Sequence, residues 1–185
     1  EVDTTPPAPP VGQDAIVINN GDAYTTNINV NLAINAVDWH GPAQMAYNNT
    51  GNPNSWVAYA VSVTDHLLDS TSDGPKTVYI RFKDDLGNIS TTYTDSIILD
   101  RQPPYHTNGI TVKYLESGYG VELVWGQYAD AWSTVEQVYV ELGHNGGAYT
   151  QITAMAGNAT SYVHYNMIVG DTYQFRIRAR DARNH

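Results

Sequence analysis

Asn27-Ile28-Asn29-Val30-Asn31-Leu32-Ala33-Ile34-Asn35-Ala36-Val37 alternates apolar and polar residues with a period of two. Ile28, Val30, Leu32, Ile34 and Ala36 fall on one side of an extended chain, with Asn29, Asn31 and Asn35 on the other. That is the mark of a strand with one face in a core. Val78, Ile80 and Phe82 repeat the pattern against Tyr79, Arg81 and Lys83. Val138, Val140 and Leu142 repeat it against Tyr139 and Glu141, and Tyr173, Phe175, Ile177 and Ala179 against Gln174, Arg176, Arg178 and Arg180. Val121, Leu123 and Trp125 precede a turn. No stretch keeps a helical period for more than a turn or two. Turn formers separate the strands: Asn20-Gly21-Asp22, Asp73-Gly74-Pro75, Asp85-Leu86-Gly87-Asn88, Asn145-Gly146-Gly147 and Gly170-Asp171. Many short strands at this spacing predict an all-β sandwich architecture.

A chain of 185 residues holds one large or two small domains, and an internal repeat selects two. Val2-Asp3-Thr4-Thr5-Pro6-Pro7 and Leu99-Asp100-Arg101-Gln102-Pro103-Pro104 share the pattern apolar-Asp-x-x-Pro-Pro, with aspartates 97 positions apart (100 − 3). A Pro-Pro pair cannot continue a strand ladder, so each copy ends one module and spaces the next. Lys76–Asp84 (KTVYIRFKD) also aligns with Tyr173–Asp181 (YQFRIRARD). After the first of these a further strand, Ser90–Leu99, follows; after the second the sequence reaches Asn184-His185 with no such strand. The expected division is therefore residues 1–12 as a linker and tail of a preceding module, 13–100 as one sandwich, 101–104 as a Pro-Pro hinge, and 105–185 as a second sandwich lacking its last strand.

Composition narrows the function classes. Charged residues are 15% of the chain, below the ~25% usual in soluble domains. The 14 Tyr and 4 Trp outnumber the 2 Phe, which suits strands buried on one face and wet on the other. The formal charge of −10 argues against nucleic acid, because phosphate binding needs a Lys/Arg patch. There is no cysteine, which leans towards a bacterial exported protein or a cytosolic one. No apolar run approaches the ~20 residues of a membrane span.

Residues 105–185 resemble a fibronectin type III module, through Leu123-Val124-Trp125, Tyr139 and the segment Ile168–Ala179 (IVGDTYQFRIRA). The resemblance implies that Tyr173 is the tyrosine-corner residue, its hydroxyl tying the loop to the strand, and that Trp125 is a core residue. Residues 13–100 resemble the bacterial Ig-like modules of large surface proteins and multimodular secreted enzymes. The resemblance rests on Met45-Ala46-Tyr47, Trp56, Asp73–Tyr79, Asp84–Ser90 and the closing Leu99-Asp100-x-x-Pro103-Pro104. It places Trp56 in the core and Pro103 and Pro104 at the hinge, with neighbouring modules of the same polypeptide as partners, outside the cell or on its surface.

Chemistry-bearing residues are sparse. The six His are spread singly and no Gly-x-Ser-x-Gly elbow occurs, so neither a zinc site nor a hydrolytic triad is expected. Asp84, Asp85, Asn88 and Asp100, with Asp3, sit at module ends and form a candidate Ca2+ set, weighed against the ordinary use of Asp and Asn in turns. Trp39, Tyr128 and Trp132 lie in loop-like stretches and form a candidate stacking surface for polysaccharide, weighed against a role in covering module ends. Asn48, Asn88 and Asn158 fit the glycosylation acceptor pattern. The sequence therefore predicts a non-catalytic spacer or adhesion segment without an obligatory cofactor. The alternatives are a carbohydrate-binding accessory module and a self-associating filament subunit, its second sandwich completed by a neighbour's strand.

Overall fold

The computed structural model describes residues 2–106, 108–116 and 119–185; Glu1, Thr107, Ser117 and Gly118 lie outside the described residues. The chain forms two compact units, residues 1–100 and 101–185. Both are built of strands, and among the described residues the only helical element is a single 3-10 turn at Asn19–Gly21. Among the described residues no helix is long and apolar enough to cross a membrane.

The first unit contains β1 (Ile16–Ile18), β2 (Tyr24–Thr25), β3 (Asn29–Ile34), β4 (Gln44–Asn48), β5 (Val57–Ala58), β6 (Ser62–Leu67), β7 (Gly74–Lys83) and β8 (Tyr93–Leu99). One sheet has the order β1-β3-β6 and the other β2-β8-β7-β4-β5. All pairings are antiparallel except β2 with β8. The alternation that defined the fold is carried through: along β3 every second residue is buried. On β7, Val78, Ile80 and Phe82 are wholly buried while Tyr79, Arg81 and Lys83 are not. These side chains meet Ile16, Ile18, Leu32, Leu68 and Ile97 in one core. The Pro-rich start of the chain, read from sequence as a linker, is fastened to this unit. Ala8 and Val37 exchange backbone hydrogen bonds of 3.0 and 2.8 Å, and Asp3 and Pro7 are buried.

The second unit contains β9 (Thr111–Tyr114), β10 (Gly120–Val124), β11 (Val135–His144), β12 (Thr150–Ala156), β13 (Ser161–Tyr165) and β14 (Tyr173–Asp181). Its sheets have the orders β13-β10-β9 and β12-β11-β14. Its core gathers Val121, Leu123, Trp125, Tyr128, Val138, Val140 and Ile177. β14 is the counterpart of β7, but β7 is flanked by β4 and β8, whereas among the described residues β14 is paired only with β11. The described residues of the second unit thus form six strands in two sheets. An open groove of about 580 Å³ lies over Ile110, Val112, Val121, Met167 and Phe175.

One glycine fixes how β11 and β12 leave each other. Gly157 donates to the Glu136 carbonyl at 2.9 Å, and a Cβ there would stand 1.9 Å from the Val135 carbonyl oxygen and 2.5 Å from its carbon. Neither backbone atom can rotate away, so Gly157→Ala must displace the strand. The expected cost is about 1–3 kcal/mol or more, as in other overpacked sites. Urea unfolding of the second unit is the check, and a midpoint unchanged from the parent would contradict the close approach.

Candidate functional site

The turn after β7 is built by one side chain. Asp84 Oδ1 accepts the backbone N–H of Leu86 (3.0 Å) and of Asn88 (2.8 Å), and Asp84 Oδ2 accepts Asn88 Nδ2 at 2.7 Å. Gly87 at φ +93° supplies the left-handed residue such a turn needs. The turn after β14 repeats the design 97 residues on (181 − 84). Asp181 Oδ1 accepts Arg183 N–H (2.7 Å) and His185 N–H (2.9 Å), and Asp181 Oδ2 faces His185 Nδ1 at 3.0 Å. In both cases burial works to raise the carboxyl pKa and the converging donors outweigh it, so Asp84 and Asp181 are each held below the ordinary carboxylate value.

Asp84 does not collect the partners that the sequence suggested. Asp85 is exposed, and Asp100 is fully buried at the end of β8, its N–H on the Thr25 carbonyl at 2.9 Å. Asn88 uses its amide N–H groups on Asp84 and on the Asp3 backbone carbonyl (3.2 Å). The carboxylates that approach Asp84 are Asp3 and Asp38, one oxygen from each lying within 4.8 Å of the others. Asp38 escaped the sequence reading because its position beside Asp3 depends on the Ala8–Val37 bridge, a contact between distant segments. Asp3 Oδ1 accepts both the Thr5 hydroxyl (2.6 Å) and the Thr5 N–H (2.9 Å). Those two bonds hold the Asp3 carboxyl below its ordinary value, against burial and the nearby Asp84 charge, which push it up.

The aromatic candidates divide. Trp39, in the first unit, is 69% exposed and meets the His40 ring edge-on at 5.0 Å. Trp132, in the second unit, is 38% exposed. Tyr128 is instead a core residue: it is buried, its hydroxyl donates to the Ile177 carbonyl at 3.0 Å, and burial raises its pKa. Its ring therefore offers no stacking face, and the strand pattern concealed this because Tyr128 follows β10 in an irregular segment. Trp125 is buried and donates Nε1–H to the Ala159 carbonyl at 2.9 Å. Trp56, expected in the core, is half-buried on the flank of the sheet with the Lys83 ammonium 4.6 Å from its ring centre, a cation–π contact that keeps one face near solvent. The Tyr173 hydroxyl accepts the Ile168 N–H at 2.9 Å, tying the segment before β14 to the strand. Pro103 is exposed and Pro104 half-buried.

On the outer face of the second unit, Glu141 is 4% exposed and accepts from Arg176 Nε at Oε2 and from Arg178 at Oε1, the latter through Nε at 2.9 Å and through its terminal nitrogen. Burial works to raise the Glu141 pKa, and the two guanidinium groups outweigh it to hold the group ionised below its ordinary value.

No protein-family model and no curated protein matches the chain. Among solved structures it is similar to domains A168–A170 of titin, with a TM-score of 0.52 and 15% identity over 97% of this chain and 61% of that one. It is also similar to the FN1–FN3 domains of chicken CNTN1, with a TM-score of 0.45 and 16% identity over 96% and 64%. The fibronectin(III)-like modules of Clostridium thermocellum CbhA give a TM-score of 0.39 and 10% identity over 91% and 87%. The chain spans about three fifths of the length of the titin and CNTN1 structures. The fold is that of tandem Ig-like and fibronectin III-like β-sandwiches.

Proposed function

We propose that this chain is a non-catalytic structural spacer and adhesion segment of a large extracellular bacterial protein. The observation that supports this reading is the succession on one chain of two sandwich units, each with its own core. The second unit begins where β8 ends, at Leu99-Asp100 and the pair Pro103-Pro104. Proline restricts its own φ, and long-range ladders inside each unit resist extension. A cysteine-free acidic sequence fits an exported bacterial surface. In that role the partners are neighbouring modules of the same polypeptide.

Single-molecule pulling from the two ends tests the reading. The expected result is two unfolding events, one releasing 100 residues and the other 85 (185 − 100), or roughly 300 Å of extended chain each. One event spanning the whole chain would overturn it.

Two other readings have an observation each. Exposed Trp39 and Trp132 favour polysaccharide binding, and retention on an insoluble glycan that both Trp39→Ala and Trp132→Ala abolish would establish it. The edge of β14, paired among the described residues only with β11 and bordered by the open groove at Phe175, favours self-association by strand addition, and concentration-dependent oligomers in light scattering would establish that instead.

A further inference from the structure

Asp3, Asp38 and Asp84 come from three distant parts of the chain: the Pro-rich start, the loop after Val37 and the turn after β7. Three carboxylates within 4.8 Å of one another repel strongly unless a cation stands among them. The hydrogen bonding shows where lone pairs remain. The Asp3 side chain is 3% exposed; Thr5 takes up its Oδ1, and its Oδ2, equally buried, accepts no hydrogen bond. His40 Nδ1 stands 3.6 Å from that oxygen, too long for a hydrogen bond. Asp38 repeats the arrangement: the Thr5 hydroxyl lies 3.5 Å from its Oδ1, and its Oδ2 is buried without a partner. Asp84 accepts two hydrogen bonds at Oδ1 and one at Oδ2, which leaves capacity at Oδ2. Two buried carboxylate oxygens without donors in one cluster are costly as they stand, because the desolvation of a charged group is left uncompensated.

We propose that Asp3, Asp38 and Asp84 bind a Ca2+ ion that ties the Asp3–Pro7 segment to the first sandwich. The donor set is all oxygen, which suits a hard cation and not zinc. Ca2+ accepts oxygen ligands in flexible, irregular geometry, as three carboxylates from separate segments supply, whereas Mg2+ demands a near-ideal octahedron. Three protein carboxylates with water completing the shell correspond to an affinity on the order of 10⁻⁴ M, as in weak extracellular sites. The ion would fix the Asp-x-x-Pro-Pro segment in place by joining it to two loops that are remote in sequence.

Calorimetric titration of the whole 185-residue chain, stripped with EDTA, tests this. The parent is expected to bind Ca2+ and to unfold at a higher temperature in millimolar CaCl2 than in EDTA. Asp38→Asn, a near-isosteric change at a half-buried position, is expected to remove one Ca2+ from the stoichiometry or weaken it at least tenfold; Asp3→Asn should do the same. Asp85→Asn, on the exposed neighbour of Asp84, should leave binding unchanged. Far-UV circular dichroism confirms that each variant is folded. No heat and no thermal shift with millimolar Ca2+ would overturn the proposal. So would Ca2+ binding that survives both Asp38→Asn and Asp3→Asn, and Mg2+ binding as tightly as Ca2+ would overturn the choice of ion.

Discussion

Phe82→Ala is expected to unfold the first unit at room temperature or bring it close to unfolding, while the second unit keeps its structure. Phe82 is wholly buried near the end of β7, with the Tyr59 ring 6.1 Å and the Tyr93 ring 5.9 Å from its own. Truncating it removes the transfer free energy of the ring and leaves a cavity that β-sheet backbones cannot close. Such changes cost about 3–5 kcal/mol. A sandwich of this size has a total stability on the order of 5–15 kcal/mol, so the loss is a large share of the whole. The cores have no member in common, so the damage should stay local. Equilibrium unfolding in urea, followed by tryptophan fluorescence, checks it. Trp39 and Trp56 report the first unit, and Trp125 and Trp132 the second. A first-unit midpoint within about 1 kcal/mol of the parent would mean that Phe82 is not the keystone that its burial indicates.

That the fold could be read from sequence, and the carboxylate cluster could not, has a physical cause. Strand faces are a local property: Ile28-to-Ala36 and Val78-Ile80-Phe82 announce their buried side through a period of two. Turns are local too: the Asp84–Asn88 turn and the Tyr173 hydroxyl bond to Ile168 N–H each involve residues no more than five positions apart. Asp38 was missed because its value lies in a contact with Asp3 across 35 positions (38 − 3), and nothing in Val37-Asp38-Trp39 signals that the Pro-rich start of the chain will bridge there. Asp85 and Asp100 were proposed for being acidic near a module end, but one is exposed and the other is sealed beside β8. Tyr128 and Trp56 exchanged their expected roles for a related reason. Aromatics in irregular segments have no periodic context to say which face they take. The Tyr128 hydroxyl found a carbonyl partner inside, and Trp56 found a lysine outside.

Glu141→Gln should lower the stability of the second unit by about 1.5–3 kcal/mol at neutral pH, the range for hydrogen bonds that involve charged partners. Glu141 sits on β11 opposite Arg176 of β14 and two register positions from Arg178, on the same face, so the carboxylate clamps the two strands of this sheet that have the longest shared ladder. The arginines are half exposed and remain solvated after the change, which keeps the loss below that of a fully buried broken pair. The effect also has a pH signature. The folded pKa of Glu141 is depressed below its ordinary value of 4.5, so the folded state binds its proton later than the unfolded chain does. The contribution is therefore complete above about pH 4.5 and disappears as pH falls through the lower, folded value. Parent and Glu141→Gln should then differ at pH 7 and converge in acid, where the protonated parent is nearly the amide's isostere. Urea midpoints of the second unit measured from pH 7 down to pH 3 decide it. A constant gap between the two across that range would show that Glu141 acts through packing and not through its charge, and that the arginine pair is a surface contact of little weight.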